Sequence, residues 1–156
     1  MPTYPVRPTP SAWHADATAA LHAAMRRDHD TARAAVQAIA ARDPEDLPDV
    51  LLAWCDTLLS ARGLRDYGAE PFTLDFGNLD TQQVQHADDV PPAVAWAGRL
   101  IAARAADDQA TFEALIVAAV EGEGDAWGQC VMTTLNVVAL NLVVEATRRD
   151  RIGRES

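Results

Sequence analysis

The sequence of this 156-residue chain predicts an all-α protein, and three observations support that prediction. Alanine is very common while isoleucine, phenylalanine and tyrosine are scarce, a composition that favours helices over sheets. Apolar residues recur at the spacing of one helix face in six separate stretches of the chain. Residues that typically begin or end helices, such as Asp, Pro and Gly, stand between these stretches. We therefore expect six main helices in one domain over residues 11–149.

The first unit of three helices is predicted within residues 11–62. Ser11 can cap a first helix over residues 12–27, because a side-chain oxygen there accepts a hydrogen bond from the first helical turn. Asp28 can cap a second helix, over residues 29–42, in the same way. A third helix follows, with a proline tolerated in its first turn and a glycine as its natural stop.

A stretch without the helical pattern, residues 63–90, separates the first unit from the second. Phe72 and Phe76 alternate with polar residues within it, which predicts a short extended segment that lies on the core. Unstructured connections of this length are uncommon and are often functional. We interpret the stretch as a partly extended crossover held down by its own phenylalanine side chains.

The second unit is predicted over residues 90–149. Two consecutive prolines mark the start of a fourth helix that runs to about Ala106, and Asp107 or Asp108 caps a fifth. The sixth helix is apolar on nearly all sides over residues 131–144. This apolar stretch is short and interrupted by Thr and Asn, so we expect it not to span a bilayer. Its surplus of apolar surface instead predicts a homodimer.

The two units follow the same plan, which predicts an internal duplication. Leu21 and Asp28 align with Leu100 and Asp107 at one constant shift, and a slightly smaller shift aligns later positions. The four tryptophans form two pairs under this alignment, and each pair is out of step by about one helical turn. The fold we expect is therefore two similar three-helix units that cover each other's apolar faces.

Charge and composition restrict the partners and the compartment. The formal net charge is −10, and a negative surface repels the phosphates of nucleic acids and of anionic membranes. All thirteen basic residues are arginine, which together with the alanine content indicates a high-GC bacterial genome. Residues 150–156 are predicted to form a basic tail, and residues 1–10 a flexible proline-rich arm that is not a signal peptide. We expect a cytoplasmic protein that binds neither nucleic acid nor membrane.

The candidate catalytic and metal-binding residues form none of the patterns typical of such sites. His14 and His22 lie near each other on the first helix, but helical metal sites normally carry histidines one turn apart with a carboxylate. Cys55 and Cys130 fall in matching apolar helices and are expected to be free, buried thiols. No cofactor or metal is therefore expected.

Asn136 and Asn141 are the most unusual polar residues, because the sixth helix is otherwise apolar around them. A buried asparagine must be hydrogen-bonded, and such residues fix packing or oligomeric state, lie exposed on one flank, or contact a ligand. These alternatives stay open at the level of sequence. A candidate ligand pocket between the units is formed by Trp54, Phe72, Phe76, Trp127 and Asn136. A candidate dimer interface on the sixth helix is formed by Val137, Leu140, Asn141 and Val144.

The favoured function is that of a non-enzymatic, acidic helical protein that interacts with or regulates a partner as a homodimer. Its charge also suits a basic protein partner, through electrostatic steering. The first alternative is a small-molecule-binding protein with a pocket between the two units. The second alternative is a metal-dependent enzyme that uses His14, His22 and nearby acids.

Overall fold

The computed structural model describes residues 12–63 and 91–155, and within these two ranges the chain is helical with no β-strand. The six helices are α1 (Ala12–Met25), α2 (His29–Arg42), α3 (Leu47–Ala61), α4 (Pro92–Ala105), α5 (Gln109–Val120) and α6 (Ala126–Glu155), with a 3₁₀ turn (Pro44–Asp46) before α3. The prediction of an all-α protein with six main helices is confirmed. The predicted arm, all but the first residue of the predicted crossover, and the side chains of Phe72 and Phe76 lie outside the described residues.

The second helix of each half of the chain begins with an aspartate cap. An Asp28 oxygen accepts a hydrogen bond from the Thr31 backbone N–H at 3.3 Å, and an Asp108 oxygen accepts one from the Thr111 N–H at 3.1 Å. Each bond satisfies a backbone donor that has no partner within the helix. Of the two candidate caps of α5, the structure therefore assigns the role to Asp108.

Several local features recur at a spacing of 80 residues. Arg27 and Asp107 both adopt the left-handed backbone conformation, with φ of 61° and 55°. In each case the N–H of the next residue donates to a carbonyl five residues back, that of Ala23 or Ala103, at 2.8 Å. This is the usual way to close the C-terminus of a helix. The two turns that follow α1 and α4 are thus built alike.

Buried positions in α3 and α6 show the same spacing. Six buried residues of α3 each have a buried counterpart 80 residues later in α6: Val50, Leu51, Trp54, Cys55, Leu58 and Leu59 correspond to Cys130, Val131, Thr134, Leu135, Val138 and Ala139. The sequence alignment of Leu21 with Leu100 is one residue out of this register. Alanine-rich helices have few distinctive side chains, so a one-residue slip leaves many apolar matches intact.

The core is arranged around α6, which contacts α1, α3, α4 and α5. Val131, Leu135 and Val138 lie on its inner side and are fully buried. These residues are four and three positions apart, so they form one continuous stripe on the helix. Helix α6 is therefore the element against which the other long helices pack.

Helix α6 is also much longer than its neighbours. It has 30 residues, or about 45 Å, whereas the other helices have 12 to 15 residues, or about 18–22 Å. It continues beyond the predicted end at Arg149, and residues 146–153 are all exposed. The last turns of α6 are therefore exposed, and the Arg149 guanidinium, which donates a hydrogen bond to the Ala61 carbonyl, links them to the end of α3.

Helix α6 includes the one stretch of the described residues, Ala126–Gly153, that is long and apolar enough to cross a membrane. Its most apolar 18-residue window has a mean hydropathy of 1.5, and 44% of that window is buried inside the protein. Residues 131–144 are therefore part of a longer helix that meets the length and composition criteria for a membrane-spanning helix. The core helix of a soluble protein meets them too, so this finding is weak support for a membrane location.

The cap of α2 gives a testable prediction. Hydrogen bonds from the hydroxyl and the N–H of Thr31 hold the pKa of the Asp28 carboxyl below its ordinary value. The cap therefore stabilises the fold above a pH of about 4, and this stabilisation is lost as the pH falls through the folded-state pKa. We expect Asp28→Ala to lower the Tm at pH 7 by a few degrees, and the difference from the unmodified protein to shrink at pH 3.

The control is Asp30→Ala, which removes the same charge from the same helical turn but leaves the cap in place. Thermal unfolding followed by circular dichroism measures all three proteins. Equal losses of Tm in both variants would contradict a capping role for Asp28.

Candidate functional site

A pocket of about 80 Å³ lies where the end of α1 and the start of α2 meet the middle of α6. It is lined by Ala24, Met25, Arg27, His29, Asn136, Ala139, Leu140 and Val143. The four residues from α6 are spaced at three, four and seven positions, so they share one face of that helix. The left-handed residue Arg27 turns the chain from α1 into α2 and so closes one side of the pocket.

The pocket combines an apolar floor with polar groups that donate hydrogen bonds. Met25 and Leu140 are half-buried, and Val143 is 39% exposed. The guanidinium of Arg27 and the ring of His29 belong to exposed residues at its edge. The Asn136 side chain is half-buried. A small ligand with a polar end and an apolar end matches this arrangement.

Of the predicted ligand-binding residues within the described ranges, the structure brings only Asn136 to this pocket. Trp54 is buried in the core, where its indole N–H donates to the carbonyl of Ala17 at 3.1 Å. Trp127 packs edge to face against Trp96, with ring centroids 6.3 Å apart. Both indoles thus serve the packing of helices, which a hydrophobic pattern cannot distinguish from a binding role.

The predicted dimer residues of α6 differ in burial. Val137 and Asn141 are buried within the chain. The Asn141 amide donates to the Val137 carbonyl at 2.8 Å and accepts from the Arg62 guanidinium at 2.7 Å. Asn141 therefore holds α6 against the end of α3. Leu140 and Val144 are half-buried and remain partly accessible.

Sequence reasoning missed Arg27 and His29 as members of a site. Both stand at the junction between two helices, where a charged residue is most simply interpreted as solvated. The signal that could have found them is the position of Arg27 directly before a helix cap, in a place that usually favours glycine or asparagine.

The described residues do not assemble a metal site. Within them, no group of three or more His, Cys, Asp or Glu side chains could hold a metal ion. His14 and His22 are both exposed, and His14 stacks on Trp13 with ring centroids 4.5 Å apart. Burial raises the pKa of the Cys55 thiol to about 12 and also raises that of Cys130. Both thiols are therefore protonated and poorly nucleophilic at neutral pH.

No protein-family model, no curated protein and no solved structure matches this chain. Its function therefore has to be inferred from the chain's own geometry.

The two asparagines of α6 give a second prediction. Asn141→Ala should lower the free energy of unfolding by about 1–3 kcal/mol, because the half-buried Arg62 guanidinium loses an acceptor. Asn136→Ala is the matched control, and we expect it to change stability by less than about 0.5 kcal/mol. Urea denaturation measures both. A loss in Asn136→Ala as large as that in Asn141→Ala would mean that Asn136 supports the fold and not a site.

Proposed function

We propose that this chain is a non-enzymatic interaction protein that acts as a homodimer through the outer face of α6. We define that outer face by Leu140, Val143, Val144, Thr147 and Arg151, which share one side of the helix at spacings of three and four residues. We also propose that the protein is cytoplasmic and uses no cofactor.

The exposed end of α6 is the observation that carries the proposal. Most helices in proteins are stabilised by packing an apolar face rather than by intrinsic propensity. Residues 146–153 are all exposed, and they follow a partly exposed apolar group formed by Leu140, Val143 and Val144. A second α6 crossing the first would cover this surface in both copies at once. Such self-complementary contact is the usual form of a two-fold dimer.

Charge supports the same arrangement. The chain has a formal net charge of −10, yet Arg148, Arg149 and Arg151 stand together near the end of α6. In a two-fold dimer the arginine-rich end of each copy faces an otherwise acidic partner. The same acidic surface would steer a basic protein toward the dimer, and a basic protein is the second partner we propose.

We also propose that the two halves of the chain, α1–α3 and α4–α6, arose by internal duplication. The matching left-handed residues, helix caps and buried positions, all 80 residues apart, support this origin. The tryptophans do not contribute to it, because Trp54 and Trp127 have different packing partners.

A small-molecule-binding function is the second candidate, and one observation favours it. The pocket described above lies between the first half of the chain and α6, and it includes Asn136. The metal-dependent enzyme has no comparable support among the described residues, where His14 and His22 are exposed and no metal-binding group is found.

The homodimer is tested by Val143→Asp. A carboxylate buried at the centre of the proposed interface should raise the dimer Kd by at least about 30-fold, or about 2 kcal/mol. The matched control is Val117→Asp on α5, where another valine is 53% exposed but lies outside the outer face of α6.

Native mass spectrometry and light scattering at tens of micromolar measure the oligomeric state. We expect dimers for the unmodified protein and for Val117→Asp, and monomers for Val143→Asp with an unchanged circular dichroism spectrum. An unmodified protein that is monomeric at this concentration, or equal behaviour of the two variants, would overturn the proposal.

A further inference from the structure

Residues that line the pocket between α1 and α6 have equivalents 80 residues away in the chain. In that equivalent region a side chain, that of Arg104, occupies the space. There the Arg104 guanidinium of α4 donates to both oxygens of Asp56 in α3, at 2.7 and 3.2 Å. Another nitrogen of Arg104 lies 4.0 Å from an oxygen of Asp107, the left-handed residue that follows α4. One cation is thus held between two carboxylates.

Each of these three residues has a substituted counterpart that lines the pocket. Ala24 stands in the place of Arg104, so a long side chain is replaced by a methyl group and space is left. Asn136 stands in the place of Asp56, and Arg27 stands in the place of Asp107. One carboxylate has become a neutral amide and the other has become a guanidinium. The guanidinium of Arg104 therefore has no equivalent in the pocket. The groups that surround its position carry positive charge in place of the negative charge of Asp56 and Asp107.

From this reversal we infer that the pocket binds an aliphatic carboxylate. A guanidinium grips a carboxylate through two parallel hydrogen bonds, and Arg27 is placed to provide them at the edge of the pocket. The Asn136 amide can donate a further hydrogen bond from the side of α6. Met25, Leu140 and Val143 offer apolar surface to the hydrocarbon part of the ligand.

The size of the pocket limits the ligand to a few heavy atoms. Its volume is about 80 Å³, roughly half that of the engineered cavity of about 150 Å³ that accommodates benzene. A short alkyl chain fits this space, with the carboxylate outside it at the edge, beside Arg27. The same group is presented by a free short-chain acid and by an Asp or Glu side chain from a second copy of this chain, since Leu140 and Val143 also belong to the outer face of α6.

The test uses butyrate as the probe and n-butanol as the uncharged control, each titrated into ¹⁵N-labelled full-length protein and followed by NMR. We expect butyrate to shift the backbone signals of residues 24–29 and the side-chain amide of Asn136, with saturation in the millimolar range. Arg27→Gln should weaken binding at least about tenfold, or about 1.4 kcal/mol.

Two further variants sharpen the test. Arg33→Gln removes an exposed arginine of α2 that does not line the pocket, and it should bind butyrate like the unmodified protein. Ala24→Arg restores the long side chain of the counterpart and should fill the pocket, so butyrate binding should be lost. Equal shifts with n-butanol, or unchanged butyrate affinity in Arg27→Gln, would overturn the carboxylate site.

The same titration identifies the source of the carboxylate. If a second copy supplies it, saturating butyrate should shift dimers to monomers; if a free acid is the ligand, the oligomeric state should not change. Either result supports the site. Arg27-dependent butyrate binding in a protein that is monomeric throughout would leave the site standing while overturning the homodimer, so the two proposals fail separately.

Discussion

The burial of the inner face of α6 is the constraint on which the rest of the described structure depends. Val131, Leu135 and Val138 are fully buried in a stripe of α6, and α1, α3 and α4 all contact this helix. The hydrogen bonds of Asn141 to the Val137 carbonyl and the Arg62 guanidinium fix the end of α3 against this helix.

Because the inner face of α6 is buried in the core, only its outer face is accessible to a ligand or a partner. On that side the polarity changes along the length of α6, from the half-buried Asn136, through the partly exposed Val143, to the arginine-rich end. The pocket that we propose binds a carboxylate and the proposed dimer face are neighbouring parts of the same surface. Leu140 and Val143 belong to both.

The helices and their ends are predictable from sequence because the signals are local. Asp28 identifies the start of α2 through a bond to a residue three positions away, and the proline pair identifies the start of α4. The register of the two halves is harder, because alanine offers little to distinguish one alignment from the next. The pocket is not predictable from the hydrophobic pattern. It exists because Ala24 is small, whereas Arg104 fills the equivalent position in the second half of the chain.

Amide hydrogen exchange on α6, measured at two protein concentrations, tests the central claim most directly. Exposed helical turns with few packing contacts open easily and exchange quickly. If a second copy covers the outer face of α6, residues 146–153 should be protected at high concentration and should lose that protection on dilution, while the buried stripe stays protected in both samples. Fast exchange of residues 146–153 at both concentrations would contradict the claim that a second copy covers this end of α6.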